Sequence, residues 1–228
     1  ISPTPWLTER HGYDPTYQYD PDKKIGMVID EWGTWFDVEP GTNPGFLYQQ
    51  NTMRDALVAG INLNLFNKHC DRVKMANIAQ MVNVLQAVIL TEGEKMIKTP
   101  TWHVFHMYKA HQDGELVESS IENETIGVEA DSMVPKLTES VSMAPDGRLH
   151  VTLTNLSVDS SEEIQGIFAQ SPVKSVKGTV LTNHFKAHNT FEEPDVVHTR
   201  EFKEISVDGN KLTFTLPACS VLHLEVEI

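Results

Sequence analysis

The sequence predicts an α/β first half joined to an all-β second half: helices packed on a parallel sheet or barrel, then an antiparallel β-sandwich. Three observations predict it. Between Lys24 and Lys109 short apolar runs alternate with stretches of helical spacing, the order of a βαβα unit. Beyond His111 the apolar residues fall at every second position, as in strands with one buried face. Asp146-Gly147 and Asp208-Gly209 stand directly before two of these alternating runs, where hairpin turns belong.

The elements follow in order. Ile25-Gly-Met-Val-Ile29 is continuously apolar and ends in Asp30-Glu31, a strand covered on both faces. A loop rich in Pro and Gly, Val38 to Gly45, leads to a helix over Met53 to Gly60 that its glycine closes. A second buried strand is expected at Ile61 to Phe66, and after the loop Asn67 to Asp71 a second helix, with Met75, Ile78, Ala79, Val82 and Leu85 on one face. Past a short segment at Val88 to Thr91, Thr99-Pro100 opens another helix in which Trp102, Phe105 and Tyr108 give the apolar spacing. In the second half, Leu149, Val151 and Leu153 share one strand face and His150, Thr152 and Thr154 the other. Leu212, Phe214 and Leu216 alternate likewise, as do Leu222, Leu224, Val226 and Ile228, which is sandwich grammar.

Composition narrows the function. With 18 basic against 32 acidic side chains, a formal charge of −14 and no basic stripe, nucleic acid is excluded as a partner, because binding it means neutralising phosphates. No apolar run approaches the ~18 residues of a bilayer span, and no signal peptide is visible, so no membrane partner is expected. Two distant cysteines, Cys70 and Cys219, suit a reducing compartment better than a disulfide scaffold, which points to the cytoplasm.

The residues with chemical promise cluster at Ile29-Asp30-Glu31-Trp32-Gly33-Thr34-Trp35. Acids at the carboxyl end of a buried strand occupy the position where α/β barrels assemble active sites. Successive strand residues point to opposite faces, so Asp30 and Glu31 are not expected to act as a pair on one ligand. Solvated residues at a strand end are the competing reading. Trp32 and Trp35 are either core residues or flat walls for a sugar ring. His103 and His106 lie one turn apart but lack a third ligand, and packing beside Trp102 and Phe105 explains them. His184 and His188 read as solvated loop residues, and Cys70 lacks an orienting partner for a nucleophile. No G-x-G-x-x-G, Walker or G-x-S-x-G motif occurs, so no cofactor and no metal is expected.

At Asp30-Glu31-Trp32-Gly33-Thr34-Trp35-Phe36 the chain resembles the family 51 glycoside hydrolases, the intracellular-type α-L-arabinofuranosidases. The likeness runs on through residues 37–55, Asn77 to Leu85, Lys98 to Phe105 and Asn189-Thr-Phe-Glu-Glu-Pro194, roughly residues 19 to 228 in order. The resemblance implies the C-terminal part of a (β/α)8 TIM barrel in residues 1–110, followed by a jelly-roll-like antiparallel β-sandwich in residues 111–228. It implies that Glu31 is the catalytic nucleophile, that Trp35 lines the arabinose subsite, and that Gln80 hydrogen-bonds sugar hydroxyls. The substrate would be an arabinose-containing oligo- or polysaccharide, hydrolysed with retention by two carboxyl groups ~5 Å apart, and the enzyme a homo-oligomer.

The family's acid/base glutamate lies in an Asn-Glu motif more than a hundred residues before the nucleophile, whereas here about thirty residues precede Glu31. Asn123-Glu124 falls in the sandwich half and cannot take its place. A barrel needs ~250 residues, so the expectation is an incomplete barrel, finished by a missing N-terminal portion, and an isolated chain without activity. Residues 1–18, with Pro3, Pro5 and Pro15, lack the helix the family places there. Two other readings stay open: a carbohydrate-binding or structural β-sandwich with an inert barrel remnant, and a β-glucan endohydrolase of the same family.

Overall fold

The structure, a computed structural model, describes residues 25–129, 133–169 and 171–228. The expectation for residues 1–18 lies outside them. In chain order the elements are β1 (Met27–Trp32), α1 (Met53–Lys68), β2 (Val73–Ile78), β3 (Ile89–Glu92), β4 (Lys95–Lys98), α2 (Pro100–Tyr108) and β5 (Glu115–Val117). There follow β6 (Thr125–Ile126), β7 (Val134–Pro135), β8 (Leu137–Met143), β9 (Leu149–Asn155), β10 (Glu162–Ile167) and β11 (Ser175–Thr182). The last are β12 (Arg200–Phe202), β13 (Ser206–Asp208), β14 (Lys211–Leu216) and β15 (Ser220–Glu227).

The second half forms the expected sandwich. A six-stranded antiparallel sheet, ordered β12-β11-β15-β9-β8-β5, faces a three-stranded sheet ordered β10-β14-β13. Between them lie Leu149, Leu153, Leu212, Phe214, Leu216, Leu222, Leu224 and Val226, the apolar positions of the alternating runs. Each fully buried leucine contributes about 1.5–3 kcal/mol by leaving water. Gly147 and Gly209 take positive φ in the two turns, where a side chain would be strained.

The other face of the six-stranded sheet is covered by α1 and α2. Met53, Ala56, Leu57, Ala59, Val104, Met107 and Tyr108 pack on Leu181, Val197, Cys219 and Val221. The polar alternates of β8 and β9 are therefore buried too: Ser140, Thr152 and Thr154 are fully enclosed. Asn64 on α1 gathers the hydroxyls of Ser140 and Thr152. Its Oδ1 accepts from Ser140 Oγ (2.9 Å) and Thr152 Oγ1 (2.8 Å), and its Nδ2 donates to Thr138 Oγ1 (3.0 Å).

Two expectations in the first half need correction. The helix at Met53 does not stop at Gly60, and Ile61 to Phe66 is its continuation, not a strand. The alternating Ile-Asn-Leu-Asn-Leu imitates strand patterning, but Asn62 bonds the Val58 carbonyl within the helix (2.8 Å) and Asn64 bonds the sheet. Gly60 is a close-approach point: a Cβ there would stand 2.5 Å from Thr154 Oγ1.

The helix expected through Met75 to Leu85 is the strand β2 followed by irregular chain. Its residues pair in parallel with β1, Met27 with Val73 and Trp32 with Ile78. Asn83 and Leu85 then adopt positive φ, 58° and 54°, which no α-helix accommodates. The antiparallel hairpin β3–β4, turned at Gly93 (φ 58°), had only a short apolar segment to announce it. Where a barrel portion is expected, the described residues form one two-stranded parallel sheet, β1–β2, with Val28 and Met75 about half exposed on it.

Candidate functional site

Glu31 is the penultimate residue of β1, and its side chain is exposed. The strict alternation that separates Asp30 from Glu31 is interrupted here. From Ile29 to Trp32, β1 advances three residues against two of β2, and both acids are exposed. Such an irregularity re-aims side chains at the end of a strand.

The neighbouring tryptophans differ in their surroundings. Trp32 turns inward, edge-on to Phe66 (5.3 Å between ring centroids) and stacked on Phe105 (6.1 Å). Trp35 stands 65% exposed three residues further on. It is an open aromatic face close in sequence to the carboxylate.

Gln80 reaches the same end of the parallel pair from β2. The backbone N–H of Ala79 donates to the Trp32 carbonyl (2.9 Å), and the exposed Gln80 follows immediately. Glu31 and Gln80 thus stand at the carboxyl ends of two adjacent parallel strands, with the exposed Trp35 four residues beyond Glu31, an end at which α/β folds bind ligands.

The loop after Glu31 is fastened from beneath by residues that sequence reasoning missed. Gln49 donates through Nε2 to the Thr34 carbonyl (2.9 Å) and accepts from the Phe36 N–H (2.5 Å). Asp55 Oδ1 accepts from Thr34 Oγ1 (2.8 Å). Gln86, with its amide turned so that both ends are satisfied, donates to Thr34 Oγ1 (2.9 Å) and accepts from the Thr34 N–H (2.6 Å). Arg54 lies 3.6 Å above the Phe36 ring and pairs with Asp55 Oδ2 at 3.1 Å. Gly33 has φ 141°, and a Cβ there would collide with the Gln86 side chain at 2.1 Å. The Thr52-x-x-Asp55 capping box was a readable signal for one of these residues. Nothing local marks Gln49 or Gln86.

The remaining candidates fall where packing puts them. His103 is buried with both ring nitrogens unpartnered, and burial, then Lys98 and His198, lowers its pKa to about 4. His106 stacks on Trp102. Among the described residues no group of three His, Cys, Asp or Glu could hold a metal. His184 is exposed and His188 half-buried. Cys70 is exposed and Cys219 buried, both free, and burial pushes the Cys219 thiol up to about 11. Glu124 pairs with Lys136 at 2.9 Å in the sandwich half. Two clefts of about 300 and 260 Å³ lie along α1, one toward β8 and one toward His111, and Glu31 lines neither. No described helix is long and apolar enough to cross a membrane.

The chain thus combines a parallel strand pair, with an exposed carboxylate and an open indole at its carboxyl end, and a helix-covered β-sandwich. Residues 30–220 match the family model described as the alpha-L-arabinofuranosidase C-terminal domain, and the chain belongs to that family, as the C-terminal portion of family 51 enzymes. The intracellular exo-alpha-L-arabinofuranosidase of Bacteroides ovatus is 44% identical over 211 residues, 92% of this chain and 41% of that protein. The crystal structure of the GH51 arabinofuranosidase from Xanthomonas axonopodis pv. citri superposes with a TM-score of 0.89 at 42% identity, covering 99% of this chain and 45% of that one. The thermostable GH51 alpha-L-arabinofuranosidase from Thermotoga petrophila RKU-1 gives 0.77 at 26% identity, covering 89% and 43%. The chain therefore spans less than half the length of these relatives.

Proposed function

We propose that this chain is the nucleophile-bearing portion of a retaining exo-α-L-arabinofuranosidase that removes terminal arabinofuranosyl residues from arabinoxylan- or arabinan-type glycans. The observation that supports the reading is that the segments bearing Glu31 and Gln80 adjoin at one end of β1 and β2, with Trp35 exposed shortly after Glu31, in a member of this family. The Glu31 carboxylate attacks the anomeric carbon as the glycosidic C–O bond breaks, and the leaving oxygen takes a proton from a second carboxylic acid. Water then attacks the glycosyl ester, giving its proton back to that second group and releasing Glu31 and arabinose. Trp35 offers the pentose ring an apolar face, and Gln80 bonds its hydroxyls.

The second carboxylic acid comes from barrel residues outside this chain. That portion would also cover the half-exposed Val28 and Met75 on the parallel pair, since bare apolar faces and open edges need a neighbour. The division into barrel residues 1–110 and sandwich residues 111–228, self-association into a homo-oligomer, and an intracellular location like that of the named relatives belong to the same reading.

The test is Glu31→Ala in the full-length enzyme, assayed on 4-nitrophenyl α-L-arabinofuranoside. Turnover should fall by at least about a thousandfold, and azide should restore it with an inverted glycosyl azide as product. Turnover that survives the substitution overturns the assignment. The complete sandwich core favours a second reading, a carbohydrate-binding module with an inert barrel remnant. It gains if the full-length protein binds arabinoxylan and cleaves neither the aryl substrate nor the polymer, and a β-glucan endohydrolase would show itself on a substrate panel.

A further inference from the structure

Trp35 is 65% exposed, so its own packing does little to hold its ring where a sugar would need it. What surrounds it is unusual for a surface loop. Three buried polar side chains, Gln49, Asp55 and Gln86, each about 1% exposed, converge on Thr34 and Phe36, the residues on either side of Trp35. Taking a carboxylate and two amides out of water is costly unless each hydrogen bond is made, and water could have served an ordinary surface loop.

Asp55 is the centre of this arrangement. One oxygen, Oδ2, accepts from the Thr52 N–H (2.8 Å) and pairs with Arg54 (3.1 Å), completing the cap of α1. The other, Oδ1, leaves the helix and accepts from Thr34 Oγ1 (2.8 Å). A capping box needs only the first. Arg54 holds the other flank, its guanidinium 3.6 Å from the Phe36 ring centroid. Consecutive helix residues therefore clamp both neighbours of Trp35. The helix end is itself fixed from the sandwich: Met53 N–H donates to the Ala187 carbonyl and Arg54 N–H to that of Phe185, each at 2.9 Å.

We propose that Asp55 is a positioning residue: through Thr34 it ties the loop bearing Trp35, next to Glu31, to a helix end that the β-sandwich sets in place. The sandwich thereby takes part in shaping the sugar-binding surface. The link to turnover rests on the function proposed above, whereas the link to the Trp35 position does not.

The experiment uses the full-length protein labelled with 5-fluorotryptophan, with the Trp35 ¹⁹F line assigned by Trp35→Phe. Thr34→Val keeps the side-chain shape but removes the hydroxyl without touching the helix cap, and Thr34→Ser keeps the hydroxyl. The Trp35 line should shift or broaden in the valine variant, with the Trp32 and Trp102 lines in place, and return in the serine variant. Asp55→Asn, which preserves shape, should move the same line, and it serves if the valine variant does not fold. An unmoved Trp35 line in the folded variants overturns the proposal. Arabinofuranosidase kcat/KM is read in parallel and should fall about ten- to a hundredfold with the displaced line. A displaced line with unchanged kcat/KM supports the positioning and overturns the catalytic role given to the Glu31–Trp35 surface.

Discussion

The Tyr108 hydroxyl, at the end of α2, donates to Asn64 Oδ1 in the middle of α1 at 2.8 Å, inside an otherwise apolar helix–helix contact. The same amide oxygen also receives Ser140 and Thr152 from the sheet. The two helices and the six-stranded sheet are thus joined at one buried point.

Asn64→Ala should therefore cost far more than its size suggests. It removes at once the hydrogen bonds to Tyr108, Ser140, Thr152 and Thr138, each worth about 0.5–1.5 kcal/mol, and leaves a cavity between helix and sheet. A loss of about 3 kcal/mol or more is expected in urea denaturation. Asn62→Ala, whose amide bonds only Val58 in its own helix, should stay within about 1 kcal/mol. Equal losses for the two variants would refute the role given to Asn64.

Gly60→Ala sets two effects against each other. Helix propensity favours alanine by about 1 kcal/mol, but the new Cβ would lie 2.5 Å from Thr154 Oγ1 and 3.2 Å from Val221 Cγ2. Overpacking between rigid elements costs about 1–3 kcal/mol, so the net change should be destabilising. A variant with a raised Tm would show that the helix can lift off the sheet at little cost.

Stability should fall as pH drops from 7 to 5. Burial lowers the pKa of His103, His111 and His223 to about 4, and at His103 the Lys98 ammonium acts in the same direction. The unfolded chain takes up these protons near pH 6.5 and so binds more of them than the native state between about pH 6.5 and 4. Stability is complete above that window and is lost on acidification through it. The urea midpoint should be lower at pH 5 than at pH 7, and His223→Gln should reduce the difference. Identical midpoints at the two pH values would contradict the buried, neutral state of these rings.

How far the sequence could be read depended on whether the deciding contacts were local. Period-two alternation and the Asp-Gly turns at 146–147 and 208–209 announced β9 and β14, because a strand with one face on a core writes that face at every second residue. Thr99-Pro100 announced α2 because an N-terminal proline acts through its own backbone. The motif around Glu31 was legible as acids and indoles at a strand end. The elements misread were those settled from a distance. Ile61 to Phe66 stays helical because Asn64 meets Ser140 and Thr152, some eighty residues away. Val73 to Ile78 is extended because β1 lies beside it.

What the sequence by itself determined was the sandwich, the start of α2 and the identity of the residues at the end of β1. Only the tertiary structure decided that Trp32 turns into the core while Trp35 stays open, and that the segment leading to Gln80 runs beside the end of β1. Only it decided, too, that Gln49, Asp55 and Gln86 hold the loop between them. The physical reason is the range of the forces. Backbone conformation and burial period act over a few residues and leave their mark on the local pattern, whereas a buried hydrogen bond selects its partner by proximity in space, which sequence order does not record.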